Sequence, residues 1–142
     1  MESHKLSLSK SKDFLFGGKS TFTVVSKKTQ HRITFRVKEL KDKNIYFVSY
    51  LFGSDNTQSF KFIGTIFDKN GKYNASRKNG SDPNSNINKS FEWVYNTIVN
   101  QNVSNFDKIE FWHEGKCGKC GRKLTVPSSI ETGFGPYCEK NI

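Results

Sequence analysis

Short apolar-rich runs of strand length recur between residues 21 and 76, one of them in strict alternation, and a helical period appears near residue 87. TFTVV (21–25) and HRITFRVK (31–38) flank a polar turn that holds Lys27 and Lys28. In the second of them Ile33, Phe35 and Val37 alternate with Arg32, Thr34, Arg36 and Lys38, which predicts a strand with one apolar and one cationic face. NIYFVSYLF (44–52) is apolar at both parities, the pattern of a central strand, and Gly53-Ser54-Asp55-Asn56 ends it. SFKFIGTIFD (59–68) is a further strand, and Asn70-Gly71 carries the residues of a tight hairpin before KYNAS (72–76). The expectation is an antiparallel sheet of about five strands.

The period changes after RKNGSDPNSN (77–86), a stretch without packing residues. In NKSFEWVYNTIVNQ, with the residue just before it, Ile87, Phe91, Val94, Tyr95 and Ile98 recur at helical spacing, predicting one main helix capped by Asn86 or Asn88 and laid over the sheet. Trp93 and Tyr95 lie on or beside this stripe and read as packing residues in preference to ligand-stacking ones. The fold class is therefore α+β. Residues 1–18 show no sustained period and end in Gly17-Gly18, which predicts a flexible basic arm ordered only at Phe14 to Phe16. The division is an arm over 1–18, a sheet-plus-helix domain over 19–105, and a cysteine segment over 106–142 packed upon it.

At 142 residues the chain is long enough for one modest core, and thirteen phenylalanines must fill much of it. No run approaches the roughly 20 apolar residues of a membrane span, and MESHKLSLSKSKDFLF is too polar for a secretion signal, so a cytoplasmic protein is expected. The net charge of +10 is unevenly distributed. Residues 1–80 carry 16 Lys or Arg against 6 Asp or Glu, whereas residues 81–142 carry 7 against 7. If the excess gathers on one face, that half presents an anion-binding surface; the bland alternative is a solvated surface kept soluble by lysines.

The three cysteines and one histidine fall in WHEGKCGKCGRKLTVPSSIETGFGPYC (112–138), where His113, Cys117, Cys120 and Cys138 are spaced H-x3-C-x2-C-x17-C. Two thiolates two residues apart wrap one metal in a turn, with Gly118 and Gly121 letting backbone amides face the sulfurs; Cys138 and His113 would complete a closed tetrahedral shell for Zn2+. A disulfide framework leaves one cysteine over. A redox pair needs a helix start, which the surrounding glycines oppose. A catalytic zinc needs an open position, and four protein donors leave none, even with Glu114 adjacent. Further on, Ser128-Ser129-Ile130-Glu131 after Pro127 has the form of a capping box, and Gly133-Phe134-Gly135-Pro136 would return Cys138 to the metal beneath a small cap of Phe134 and Leu124.

The pattern H-x-G-x-C-G-x-C-G-R-x-L-T-x-P-x-S-I-x-x-G-x-G-P-x-C, His113 to Cys138, resembles an uncharacterised zinc-knuckle family that recurs in bacteriophage, prophage and some bacterial proteins. The resemblance implies zinc ligation by Cys117, Cys120, Cys138 and His113, brings no established activity, and implies the host bacterial cytoplasm if the chain is phage-encoded.

Two classes of function follow. The first is a nucleic-acid-binding module, with Lys27, Lys28, Arg32, Arg36, Lys38, Lys61, Lys72, Arg77 and Lys78 on phosphates and Tyr46 or Tyr50 stacking on bases. The second is a phage anti-defence or host-takeover factor that uses the same charge to bind a bacterial defence component or sequester an anionic nucleotide signal. No carboxylate pair, nucleophile with base, or phosphate loop can be assembled, so no catalytic residue is assigned and an enzyme is not expected.

Overall fold

The computed structural model describes residues 5–40, 44–51, 60–69, 71–76, 84–113, 115–119, 121 and 134. Its elements run α1 (Leu8–Leu15), β1 (Lys19–Ser26), β2 (Arg32–Leu40), β3 (Ile45–Leu51), β4 (Phe60–Phe67), β5 (Tyr73–Ala75), α2 (Asn86–Val99), α3 (Val103–Phe106) and β6 (Ile109–His113). Among the described residues the strands form one six-stranded sheet, order β5-β4-β3-β2-β1-β6, with every neighbouring pair antiparallel. The α+β class and the five expected strands are present. No helix among the described residues is long and apolar enough to cross a membrane.

The sixth strand takes residues that the sequence pattern assigns to the cysteine segment. Ile109, Phe111 and His113 are buried in alternation and pair with Ser26, Val24 and Phe22 of β1, so residues 109–113 belong to the sheet. The start of the chain also departs from expectation. Residues 8–15 form a helix, not a mobile arm, capped by the Ser7 hydroxyl, which accepts from the Lys10 amide. Leu6, Phe14, Leu15 and Phe16 are all buried in the core. Phe16 lies edge-on to Tyr46 of β3 and to Tyr95 of α2, 5.3 and 6.0 Å between centroids, and so locks the arm beneath the main helix.

One face of the sheet carries the core. Phe22 stacks on Phe111 at 4.5 Å, and Phe35 and Tyr73 pack against Phe91 of α2 at 5.1 and 4.7 Å. The predicted stripe of α2 holds: Phe91, Val94, Tyr95 and Ile98 are buried, with Ile87 partly so. Its cap is Ser85, not Asn86 or Asn88, because the Ser85 hydroxyl accepts from the Asn88 amide at 3.2 Å. That leaves the buried Asn88 side chain to accept from the Tyr73 hydroxyl at 2.6 Å. The Tyr95 hydroxyl donates to the Gly71 carbonyl. Burial, and then the Glu92 charge, push the Tyr73 phenol far above the ordinary tyrosine value; burial does the same to Tyr95. Ser85→Ala is expected to cost about 1 kcal/mol of stability, read from denaturant melts.

Two details of β4 decide what faces solvent. Ser49 pairs with Phe62 but Val48 pairs with Gly64, so Ile63 is an extra residue, a β-bulge. Beyond it the alternation is inverted, and Phe60 and Phe62 turn to the open face while Lys61, opposite Tyr50, turns to the helix side. At Gly64 a Cβ would collide with the Tyr73 ring and its hydroxyl, so only glycine leaves room for that side chain. In the β4–β5 connection the left-handed residue among those described is Asp68 (φ 75°); Asn70 lies outside the described residues.

Candidate functional site

The face of the sheet away from α2 combines exposed rings with cations. Phe47 of β3 and Phe62 of β4 are 40% and 36% exposed and meet edge to face at 5.8 Å. Phe67, at the end of β4, is 52% exposed. The Arg36 guanidinium lies 4.1 Å from the centre of the Phe60 ring, a cation–π contact that holds Arg36 beside this aromatic pair. Lys38 is opposite Phe47 in the register, and Lys19 of β1 is opposite Lys38. Like charges directly opposite each other destabilise a strand pair, and an anion between them would offset that repulsion. By strand alternation the outward residues of β1 to β4 include no carboxylate among those described.

The predicted cations separate into groups. Arg32, Arg36 and Lys38 share the open face of β2, as alternation requires, with Phe35 and Val37 buried behind them. Lys27 and Lys28 are exposed in the β1–β2 turn at one end of the sheet, and Lys72 is exposed ahead of the edge strand β5. Lys61 is a correction: the bulge places it on the helix side. Arg77 and Lys78 lie outside the described residues. The stacking candidates are corrected too. Tyr46 is buried and Tyr50 packs against the core, because both share the parity of Val48, which is fully buried; Phe47, Phe60 and Phe62 hold the open positions instead. Lys19 is an addition that the sequence pattern misses, since TFTVV alone carries no charge and the strand begins two residues earlier.

The start of the cysteine segment packs on α1. His113 and Cys117 are buried, and the Phe14 ring lies 5.7 Å from the His113 ring and 5.9 Å from that of Phe134, which is also buried. A Cβ on Gly118 would come within 2.7 Å of Phe14, so the turn approaches α1 as only glycine allows. The Gly118 carbonyl accepts from the Lys19 amide at 2.8 Å, tying the turn to β1. The Lys119 amide points at the Cys117 sulfur at 3.4 Å, and the Gly121 amide donates to the Cys117 carbonyl at 2.9 Å. An amide aimed at sulfur suits a thiolate, and thus a metal ligand. Among the described residues only His113 and Cys117 belong to the proposed ligand set; Cys120 and Cys138, together with Leu124 and the 127–131 cap signal, lie outside them.

His113 fits a metal less directly. Its Nδ1 accepts from the Gly115 amide at 2.9 Å, and a neutral imidazole that accepts at Nδ1 keeps its proton on Nε2. Ligation through Nδ1 would replace that hydrogen bond, and ligation through Nε2 would require the proton to move to Nδ1.

A family model described as a family of unknown function, DUF6011, matches residues 111–142. The match begins within β6 and takes in His113, Cys117, Cys120 and Cys138. No curated protein and no solved structure is detectably similar to the chain.

Proposed function

We propose that this chain is a zinc-stapled module that binds single-stranded nucleic acid across the open face of its sheet, in the cytoplasm. The observation that carries the reading is the Phe47–Phe62 pair, exposed on a face that also presents Arg36, Lys38 and Lys19 and, among the described outward residues of β1 to β4, no carboxylate. Rings at that spacing suit unpaired bases, whose faces a duplex would hide, while the lysines and Arg36 neutralise the adjacent phosphates. Stacking of this kind tolerates any base, so sequence preference is weak. Cys117, Cys120 and Cys138 would hold Zn2+, with His113 as fourth donor once its bond to Gly115 is exchanged. Such a shell supplies a crosslink between the chain end and the sheet and no reaction step.

Replacing Arg32, Arg36 and Lys38 by serine should leave folding and zinc content intact, because all three project from the open face. Binding of an oligonucleotide should weaken at every salt concentration, and the log–log salt slope should shrink by roughly 0.7 for each phosphate that is no longer neutralised. An unchanged slope in the triple variant would rule out phosphate binding by β2.

A further inference from the structure

On the helix side of the sheet, the β1–β2 turn end, the first half of α2 and the start of β6 line an open cleft of about 750 Å³. Its floor is apolar, made by Val24, Ile33, Phe35, Val94 and Ile109. Trp93, 38% exposed, lines its side, although by helical spacing it reads as a packing residue. Three lysines reach the same cleft from three separate elements: Lys28 in the β1–β2 turn, Lys89 on α2 and Lys108 just before β6. None of the described residues lining it is an Asp or Glu, and none of the three lysines has an acidic partner among the described residues. The first turn of α2, with Asn86, borders the cleft and adds the positive end of a 14-residue helix to the same field.

We infer that this cleft binds a nucleoside phosphate, its base against Trp93 and the apolar floor and its phosphates among Lys28, Lys89 and Lys108. The two halves of the lining select for both halves of such a ligand. An inorganic or aliphatic anion leaves the exposed part of Trp93 and the partly exposed Ile33 facing water, and an uncharged aromatic leaves three convergent lysines with no acidic partner among the described residues. A volume of this size lies within the roughly 300–1,000 Å³ typical of small-molecule sites. The cleft and the aromatic open face lie on opposite sides of the sheet, so a free nucleotide here does not depend on strand binding there.

The test uses Trp112→Phe protein, in which Trp93 is the remaining tryptophan, titrated with ADP, GDP, CDP and UDP, and calorimetry with the same ligands on the unsubstituted chain. At least one nucleoside diphosphate should quench Trp93 fluorescence saturably. Adenosine or pyrophosphate alone should bind at least about tenfold more weakly, as should any diphosphate to a folded Lys28→Ser, Lys89→Ser variant, since a hydrogen bond to a charged group contributes about that factor. The Arg36→Ser, Lys38→Ser variant should bind unchanged. The inference is overturned if none of the four diphosphates binds in either measurement, if adenosine binds as well as ADP, or if the lysine variant keeps full affinity. It is equally overturned if only a 5′-phosphorylated oligonucleotide, and no free nucleotide, occupies the cleft.

Discussion

On the proposed zinc-stapled reading, treatment with a chelator, or replacing Cys117 by serine, is expected to produce the largest loss of stability of any single change. Metal held by such a ligand set contributes on the order of 10 kcal/mol of apparent folding free energy at neutral pH, comparable to the whole stability of an ordinary domain at about 5–15 kcal/mol. The loss should not stay local. Cys117 is followed by Gly118, which lies against Phe14 and accepts from the Lys19 amide, so a collapsed turn would loosen both α1 and the β1 side of the sheet. Protein prepared without chelator should contain about one zinc per chain, by elemental mass spectrometry. His113→Ala should lose less metal than Cys117→Ser, because the His113 imidazole already has a backbone partner in Gly115. Zinc-free protein of undiminished stability would remove the metal from the scheme.

The second large effect is on binding. Phe47→Ala and Phe62→Ala should each weaken an oligonucleotide complex by about 1–3 kcal/mol, the usual contribution of one base stacked on an aromatic ring. Stability should fall much less, because both rings are more than a third exposed and lie on the far side of the sheet from the core. Fluorescence anisotropy with a labelled single strand reads the first quantity and a denaturant melt the second. A double variant that binds as tightly as the parent would leave the aromatic pair without a part in recognition.

Much of this architecture can be read from the period of the sequence, and the failures have identifiable causes. The stripe from Ile87 to Ile98 is legible because one helix face meets one sheet face, and Arg32, Arg36 and Lys38 because strict alternation leaves no other side for them. NIYFVSYLF is legible in part. The central place that its two apolar parities predict is the one β3 takes, between β2 and β4, yet Phe47 is exposed, so the second parity belongs to an open surface. The bulge at Ile63 has no signature that alternation can reveal, and it alone decides that Phe60 and Phe62 face outward while Lys61 does not. Helix α1 is illegible because eight residues in a Lys- and Ser-rich stretch show too few turns for a period, and tertiary packing of Phe14, Leu15 and Phe16 holds it. Strand β6 is hidden by its last residue: His113 counts as a metal donor in the cysteine pattern and as an inward position opposite Phe22 in the sheet.

Ultraviolet crosslinking of the zinc-loaded protein to a single-stranded oligonucleotide, followed by mass spectrometry of the crosslinked peptides, tests most directly whether the open sheet face is the nucleic-acid surface. Crosslinks at Phe47 and Phe62, in peptides from β3 and β4, are the predicted result. Crosslinks confined to residues 111–142, with none in β3 or β4, would contradict it and move recognition to the cysteine segment.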